Sequence, residues 1–405
     1  MENRHFAFSD DVGSFFRSPV RDIFKKVDLN AIYSFAGGYP SAETFPLSQI
    51  RTLVDVVMEK YGSRAFQYGA TQGVNELQEA IARRYGVDAG RVQITTSSQQ
   101  GIDVLTRVMI NPHDVIITSA PTYLGALQSF ASYRADVVGV PRQRSLKAFA
   151  DSYDEAITAC RQAGKQVKMI YIIPDFQNPS GETLTLDERQ ALADLAEKYN
   201  LLIVEDSPYR SLRYEGEPLP TIYSLMPERV IHLGSFSKIF APGFRLGWMI
   251  GNEDVLEKVY VCKQSLDLCP PVMDQYIATE YLESGALDQN LKETIKLYRH
   301  KRDLLDSLLH EYMPENVRWE KPQGGLFVFL TLPQQTDTVK MYDMALSREV
   351  AYVAGSFFYP GGNMGRNTMR LNFSFIDASR IEKGIQILAD VIRQSCSETV
   401  FDCFL

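Results

Sequence analysis

Lys238 lies in a largely apolar stretch of the chain, Ser-Phe-Ser-Lys-Ile-Phe-Ala-Pro-Gly-Phe-Arg-Leu-Gly-Trp, which runs from Ser235 to Trp248. The charge of a lysine is costly to bury, so most lysines lie at the protein surface. A lysine kept in apolar surroundings tends to have a lowered pKa, and its neutral amine is a nucleophile towards carbonyl groups. This stretch therefore suggests the hypothesis of a lysine that forms a Schiff base, which the remaining residues must support.

A carboxylate, a phenol and a carboxamide follow two predicted strands. Asp206 comes directly after the apolar run Leu201–Glu205, and Tyr209 lies three residues later. Asn178 follows the strand predicted over Met169–Ile173, in a stretch rich in turn-forming residues. Alone, an aspartate at such a position is most often a helix cap. Together, these side chains are hydrogen-bonding partners that a bound small molecule could use.

Hydroxyl groups and a helix start follow two further predicted strands. Ser235 follows the strand predicted over Val230–Leu233, just before the lysine. Ser98 and Gln99 follow Val92–Thr96 and open a predicted helix, whose free backbone amides suit an anion. The sequence thus places an anion-binding helix terminus beside the amine, although Gln99 could instead bond the local backbone.

These residues need a sheet to bring them together. From about Arg91 onwards, short apolar runs alternate with longer amphipathic ones, which favours an α/β fold with a mostly parallel central sheet flanked by helices. The ligands of such sheets bind outside the carboxyl ends of the strands, so the loops named above should converge at one edge. The predicted strands are Val92–Thr96, Val115–Thr118, Val137–Val140, Met169–Ile173, Leu201–Glu205, Val230–Leu233 and Leu246–Ile250.

A long helix divides the chain. Leu287–Tyr312 is predicted to be helical, is rich in charged residues, and leads into a C-terminal part with its own strands and a final helix. We expect three parts: an N-terminal segment (1–45) that packs on the smaller domain and the site, a large domain that carries the candidate site (46–286), and a smaller α+β domain (287–405).

Composition excludes several classes of function. The 405 residues are 45% hydrophobic and 23% charged, with a net charge of −8, so neither nucleic acid nor an acidic membrane is an expected partner. Five cysteines without a CxxC pair, no signal peptide and no apolar run long enough to span a bilayer favour the cytoplasm. The five histidines lack metal-ligand spacing, so we expect no metal.

The donor set is the one that pyridoxal 5'-phosphate requires. Its aldehyde needs an amine to form an imine, and its ring nitrogen needs an anion to stay protonated and act as an electron sink. Its phenolate oxygen needs hydrogen-bond donors, and its phosphate needs a helix N-terminus, hydroxyl groups and a cation. The sequence therefore predicts pyridoxal 5'-phosphate as the cofactor.

The sequence also resembles a fold-type I pyridoxal-phosphate enzyme of the class I/II aminotransferase family. Within that family it is most similar to the branch of aminoadipate/kynurenine-type, multisubstrate and aromatic aminotransferases, because Ser235–Trp248 matches that branch almost throughout. The resemblance covers nearly the whole chain and implies an aspartate aminotransferase-like fold. Further segments match in the same order: Gly37–Pro40, Gln67–Gly73, Ser97–Gly101, Pro121–Tyr123, Gln177–Gly181, Glu205–Tyr209, Pro322–Phe327 and Met369–Ser374.

The resemblance implies a role for each matching residue of the cofactor site. Lys238 would attach the cofactor and move the proton, and Asp206 would pair with the ring nitrogen. Asn178 and Tyr209 would bind the phenolate oxygen, and Tyr123 would stack on the ring. The residues implied to hold the phosphate are Ser98, Gln99, Ser235, Ser237 and Arg245, with Tyr68 reaching the phosphate of the neighbouring subunit of a homodimer.

The resemblance also implies the substrate site. Arg370 would clamp the α-carboxylate of the substrate by a bidentate contact that lysine cannot reproduce. The alternative is that Arg370 forms an ordinary ion pair with another residue of the protein. Gly38, Tyr39 and Asn178 would border the substrate. Arg17 or Arg21 would then contact a distal carboxylate, as in 2-aminoadipate.

The expected reaction is amino transfer from an L-amino acid of 2-aminoadipate, aromatic or branched/aliphatic type to a 2-oxo acid, with 2-oxoglutarate as the expected acceptor and ping-pong kinetics. The same cofactor also permits β-elimination and racemisation, which the sequence leaves open. A non-catalytic regulatory sensor is a third alternative. It is disfavoured because the region before the match is short and has neither a helix-turn-helix nor a basic patch.

Overall fold

The computed structural model describes residues 6–14, 28 and 31–402 of the chain. Its strands are β1 (Tyr33–Ser34), β2 (Val92–Thr95), β3 (Val115–Ala120), β4 (Asp136–Pro141), β5 (Val167–Ile172), β6 (Leu202–Asp206), β7 (Val230–Ser235), β8 (Gly247–Ile250), β9 (Phe327–Thr331), β10 (Val350–Ala351), β11 (Val353–Ala354) and β12 (Thr368–Asn372). Its α-helices are α1 (Leu47–Tyr61), α2 (Asn75–Tyr85), α3 (Ser97–Met109), α4 (Leu124–Ser132), α5 (Leu146–Gln162), α6 (Leu186–Tyr199), α7 (Ile222–Leu225), α8 (Glu253–Gln264), α9 (Val272–Glu283), α10 (Ala286–Tyr312), α11 (Tyr342–Ser347) and α12 (Ala378–Asp402).

Seven strands form the large sheet, in the order β2-β8-β7-β6-β5-β3-β4. Strand β8 is antiparallel to both of its neighbours, and the other neighbouring pairs are parallel. Six strands therefore end at the same edge of the sheet. This arrangement confirms the predicted α/β fold with a mostly parallel sheet.

The central strands are rich in apolar residues because both faces of the sheet are covered. Every residue of β6 and β7 is buried, as is typical of parallel strands packed between two helical layers. Crossover helices α3 to α7 connect the successive strands from β2 to β7. Helix α6 begins with a capping box in which Thr185 and Glu188 bond each other's backbone N–H groups.

A second sheet lies beyond the long helix α10. Strands β11, β12 and β9 form an antiparallel sheet in which Arg370 of β12 is opposite Phe329 of β9. Helices α10 and α12 pack against each other, and the short strand β1 pairs with β10. The C-terminal part therefore combines strands and helices, while the division at residues 45 and 286 stays a prediction.

The observed elements differ from the predicted ones mainly at their ends. Asp206 and Ser235 are the last residues of their strands rather than the first loop residues. Helix α3 begins at Ser97, one residue before the predicted Ser98, and the side chain of Gln100 accepts the backbone N–H of Thr96 at this end of the helix. Among the described residues, no helix combines the length and apolarity needed to cross a membrane. The same part of the chain holds no cluster of three or more potential metal ligands.

Candidate active site

The polar residues predicted from strand ends meet in one cavity of about 450 Å³ at the carboxyl edge of the large sheet. The cavity lies where the ends of β2, β3, β5, β6 and β7 converge, which is where α/β sheets bind ligands. The predicted site residues that line it are Gly38, Tyr39, Ser98, Gln99, Tyr123, Asn178, Asp206, Tyr209, Ser235, Ser237, Lys238, Arg245 and Arg370.

Lys238 presents its amine to this cavity from the turn after β7. Its Nζ donates a hydrogen bond to the carbonyl oxygen of Gly38 at 2.8 Å. Burial, together with the positive charges of Arg370 and Arg245, lowers the pKa of Lys238 to about 8. A substantial fraction of this amine is therefore neutral, and nucleophilic, near physiological pH.

Asp206 is a buried carboxylate with one partnered and one unpartnered oxygen. The hydroxyl of Tyr171, on the neighbouring strand β5, donates to Oδ2 at 2.7 Å. Oδ1 is buried and has no hydrogen-bond partner among the described residues. Burial raises the pKa of Asp206 to about 6, although the Tyr171 hydrogen bond opposes this shift. A cation placed against Oδ1 would stabilise the ionised carboxylate.

Asn178 lies between Tyr209 and Arg370. Its Oδ1 accepts a hydrogen bond from Arg370 Nη1 at 2.8 Å, and this fixes which end of the amide faces Tyr209. Its Nδ2 is 3.5 Å from the Tyr209 hydroxyl. Burial raises the pKa of Tyr209 above its ordinary value, so the phenol stays protonated. An amide N–H and a phenol O–H thus lie side by side as potential donors to one anionic oxygen.

Arg370 is a buried guanidinium held between two aromatic rings. Its Cζ is 4.3 Å from the centroid of Phe327 and 5.0 Å from that of Phe358. Nη2 donates to the Ala36 carbonyl at 2.7 Å, and Nε is buried without a partner. Burial lowers the pKa of Arg370 to about 10, because no carboxylate among the described residues compensates it. A bound carboxylate would provide that missing counter-ion.

Hydroxyl groups and the N-terminus of helix α3 line the other end of the cavity. Ser97 and Ser98 form the first turn of α3. Ser235 ends β7, and its Oγ accepts the backbone N–H of Ser237 at 3.2 Å. Arg245 is exposed and donates Nη2 to Ser97 Oγ at 2.7 Å. A cation, hydroxyl groups and the amides of a helix N-terminus therefore lie together, as an anion requires.

Both polar atoms of the Gln99 side chain form hydrogen bonds with neighbouring protein groups. Its Nε2 donates to the Gly125 carbonyl and to Ser129 Oγ, at 3.0 and 2.9 Å. Its Oε1 accepts from the Tyr123 hydroxyl at 3.1 Å. The contribution that Gln99 can make to an anion is thus its backbone N–H, while its side chain fixes the position of Tyr123.

Tyr68 is the predicted site residue that lies away from the cavity. Its side chain is 82% exposed, and Phe66 beside it is 66% exposed. Within one chain, Tyr68 therefore does not contribute to the site. Arg17 and Arg21, considered for a distal carboxylate, lie outside the described residues.

Several residues that complete the site were not predicted. Tyr171 is the one hydroxyl-bearing side chain in strand β5, a signal that could have singled it out. Ser97 precedes the predicted Ser98 and binds Arg245. Ala36 was not predicted, and its carbonyl accepts from Arg370. The predicted Gly38 accepts from Lys238 through its backbone carbonyl, and no side-chain pattern indicates such backbone acceptors.

The arrangement fits pyridoxal phosphate. The unpartnered Oδ1 of Asp206 calls for a cation such as a protonated ring nitrogen. Lys238 offers an amine, and Asn178 and Tyr209 offer adjacent donors. The serine-rich helix start with Arg245 provides an anion site.

Comparison with known proteins gives the family. The family described as aminotransferase class I and II matches residues 38–388. The aromatic-amino-acid aminotransferase 1 of Thermococcus litoralis is 41% identical over 394 residues, which cover 96% of this chain and 94% of that protein.

Solved structures agree. The kynurenine aminotransferase of Pyrococcus horikoshii, in complex with PMP, is 41% identical and superposes with a TM-score of 0.91, covering 96% of this chain and 97% of its own. The α-aminoadipate aminotransferase of Thermus thermophilus, complexed with N-(5'-phosphopyridoxyl)-L-leucine, is 30% identical with a TM-score of 0.88, covering 96% and 98%. The resemblance and the cofactor inferred from the sequence are confirmed. This chain belongs to the class I and II aminotransferases and is an enzyme that depends on pyridoxal phosphate.

Proposed function

We propose that this aminotransferase moves the amino group of an aromatic L-amino acid, and secondarily of 2-aminoadipate or a branched or aliphatic amino acid, to 2-oxoglutarate by a ping-pong reaction. The observation that carries the proposal is the convergence of Lys238, Asp206 and Arg370 on one cavity. The names of the relatives support the substrate classes, because they are aromatic-amino-acid, kynurenine and α-aminoadipate aminotransferases.

Cofactor binding is assigned to the residues at the sheet edge. Asp206 would hold the proton on the ring nitrogen, with Tyr171 orienting the carboxylate through its 2.7 Å hydrogen bond. Asn178 and Tyr209 would donate to the phenolate oxygen, and Tyr123 would lie against the ring. The proposed phosphate site comprises Ser97, Ser98, Ser235, Ser237, Arg245 and the backbone of Gln99.

Proton transfer is assigned to Lys238. When bound, pyridoxal phosphate supplies a carbonyl that joins an amine covalently and a protonated ring that withdraws electrons from the substrate α-carbon. The neutral Nζ of Lys238 would take up the proton of the substrate α-carbon and later give a proton back. Its lowered pKa suits this work, because a general base is most effective when its pKa is near the working pH.

Substrate binding is assigned to Arg370. Its guanidinium is fixed by the Phe327 and Phe358 rings and by Asn178, so it can meet a carboxylate without losing rotamer freedom. Gly38 and Tyr39 line the same cavity, and the Gly38 carbonyl contacts the Lys238 amine. The α-carboxylate would therefore lie on the Arg370 side of the lysine.

The cavity walls favour substrates with apolar side chains, whether aromatic or aliphatic. Tyr39, Leu124 and Phe358 line the cavity and offer apolar surface to a substrate side chain. Among the described lining residues, the cations are Lys238, Arg245 and Arg370, and each already has a proposed role. A second carboxylate, as in 2-aminoadipate, would have to find its cation outside the described residues, where Arg17 and Arg21 lie.

We also propose a homodimer. Exposed Tyr68 would reach the phosphate site of the partner subunit, which makes each site depend on two chains. The cytoplasmic location and the three-part division of the chain stay predictions.

A panel of amino acids with 2-oxoglutarate tests the substrate proposal. Phenylalanine, tyrosine, kynurenine, leucine and 2-aminoadipate are compared by measuring both the new oxo acid and glutamate. We expect the highest kcat/KM for the aromatic amino acids, and one oxo acid per site when the acceptor is left out. Continuous product formation without acceptor would indicate β-elimination, and loss of optical activity would indicate racemisation.

A further inference from the structure

Asp175 is a fully buried carboxylate that the proposed reaction does not use. It lies three residues before Asn178 in the chain. Its Oδ1 accepts from Arg189 and Arg213 at 2.8 and 3.1 Å, and its Oδ2 accepts from Arg189 and Arg210 at 3.3 and 3.0 Å. Three guanidinium groups thus contact one buried carboxylate, two more than its charge requires, and the two additional ones need an explanation other than neutralising Asp175.

Arg189 alone already neutralises this carboxylate. Each nitrogen of its guanidinium donates to an acceptor, because Nε bonds the Leu184 carbonyl at 3.1 Å, Nη1 the Pro220 carbonyl at 2.9 Å and Nη2 the Pro174 carbonyl at 3.2 Å, in addition to Asp175. Burial alone would raise the pKa of Asp175, but the hydrogen bonds and charges of Arg189 and Arg210 lower it. One arginine would balance the charge of Asp175, so Arg210 and Arg213 exceed that balance.

The two additional arginines belong to the loop of Tyr209. Arg210 directly follows Tyr209, and Arg213 lies over the Phe176 ring with its Cζ 4.7 Å from the centroid. Both reach Asp175, which belongs to the loop of Asn178. The carboxylate therefore joins the two loops that carry the proposed phenolate donors.

These two donors are not held together by their own contact. The distance of 3.5 Å between Asn178 Nδ2 and the Tyr209 hydroxyl is at the limit of a hydrogen bond. In addition, Phe176, between Asp175 and Asn178, has a φ of +51°, which is strained for a bulky residue and persists only when its surroundings impose it. Other contacts must therefore fix the position of the Asn178 loop relative to the Tyr209 loop.

We propose that Asp175, in the Asn178 loop, is a positioning residue that sets the distance between Asn178 and Tyr209 by binding Arg210 and Arg213 of the Tyr209 loop. The inference rests on the proposed function, in which these two side chains hold the phenolate oxygen of the cofactor. Without the carboxylate, three guanidinium groups repel one another and the two loops move apart.

Two variants of the holoenzyme test the inference. Asp175→Asn removes the negative charge. Arg213→Gln removes one ion pair between Asp175 and the Tyr209 loop but keeps the Asp175–Arg189 pair. The Arg213→Gln variant should therefore fold even if Asp175→Asn does not. Hydrogen-bond donors to the phenolate oxygen would stabilise its negative charge. They would therefore favour the form in which the nitrogen that joins Lys238 to the cofactor has lost its proton. Both variants should therefore raise the pH midpoint of the visible absorption, and both should raise the cofactor Kd about tenfold, the effect of weakening one hydrogen bond to a charged group.

Asp114→Asn is the matched control. Asp114 is also buried, but it precedes β3 at the opposite end of the sheet and accepts from the backbone N–H and Nδ2 of Asn111 at 2.9 and 3.1 Å. The control should lower thermal stability without changing the pH midpoint or the Kd. If Asp175→Asn and Arg213→Gln behave like Asp114→Asn, the inference is overturned and Asp175 is merely structural.

Tyr209→Phe and Asn178→Ala separate this failure from failure of the proposed function. If they shift the midpoint while Asp175→Asn and Arg213→Gln do not, the site roles stand and the positioning role falls. If they leave the midpoint unchanged, the proposed donors are wrong and the inference falls with them. A crystal structure of the Asp175→Asn apoenzyme supplies a readout that needs no cofactor: the distance from Asn178 Nδ2 to the Tyr209 hydroxyl should exceed the present 3.5 Å.

Discussion

Arg370 Nη1 donates a hydrogen bond to Asn178 Oδ1 at 2.8 Å, which links strand β12 of the C-terminal sheet to the loop after β5 of the large sheet. The proposed carboxylate clamp and a proposed donor to the phenolate oxygen are therefore one connected unit. A change at Arg370 should consequently affect both substrate binding and the spectrum of the bound cofactor.

Arg370→Lys should raise the KM for the amino acid by roughly tenfold or more, because an ammonium group cannot make the planar, bidentate contact of a guanidinium. Steady-state kinetics with a saturating oxo acid measures this effect, and kcat should fall less than kcat/KM. Arg366→Lys is the control, since Arg366 is 66% exposed and lies outside the active-site cavity. An unchanged KM in Arg370→Lys would remove Arg370 from the carboxylate role.

Asp206 should make the apoenzyme less stable as the pH rises. Its pKa is raised by burial from 3.8 to about 6, so its stabilising contribution is fully present below pH 3.8 and is lost as the pH rises through about 6. Relative to Asp206→Asn, the free energy of unfolding of the wild-type apoenzyme should fall by about 3 kcal/mol between acidic and neutral pH.

Urea unfolding of both apoenzymes at fixed protein concentration measures this difference. Saturating pyridoxal phosphate should cancel the loss, because a protonated ring nitrogen would pair with the carboxylate. A difference between wild type and Asp206→Asn that does not change with pH would show that the carboxylate is not destabilised by burial.

Capture of the cofactor by the apoenzyme should accelerate with a midpoint near pH 8, since the neutral amine of Lys238 is the reactive form and its pKa is lowered to about 8. Visible absorbance after rapid mixing with pyridoxal phosphate follows this reaction. In Arg370→Gln the midpoint should move upward, because burial remains but one of the neighbouring positive charges is removed. A midpoint near the ordinary lysine value of 10.5 would contradict a perturbed amine.

Mixed dimers test whether Tyr68 acts on the partner subunit. When Lys238→Ala and Tyr68→Ala subunits are dissociated together and reassociated, one site of each mixed dimer combines an intact lysine with an intact tyrosine. Activity should then recover to about a quarter of wild type, since half of randomly paired dimers are mixed and each has one intact site. No recovery, with mixed dimers verified by mass, would show that Tyr68 acts within its own chain or not at all.

The sheet and the grouping of residues at its edge could be predicted because each depends on local information. Apolar runs such as that before Asp206 mark buried strands, and parallel strands must end at one edge. This places Lys238, Asp206 and Asn178 together without any knowledge of tertiary contacts.

The partners of those residues could not be predicted in the same way. Arg370 bonds Asn178 and Ala36 across 192 and 334 residues of sequence, and the acceptor on Ala36 is a backbone carbonyl. The side chain of Gln99 has the right type to bind an anion, but only the structure shows that it bonds Gly125 instead. The three arginines around Asp175 carry no sequence signal, because each looks like an ordinary surface residue.

Attachment of the cofactor to Lys238 is tested most directly by reducing the holoenzyme with borohydride and mapping the modified peptide by mass spectrometry. The expected result is a single phosphopyridoxyl adduct on Lys238, together with loss of the visible absorption, and no such adduct in Lys238→Ala. An adduct on a different lysine, or a protein that stays colourless with excess pyridoxal phosphate, would contradict the assignment.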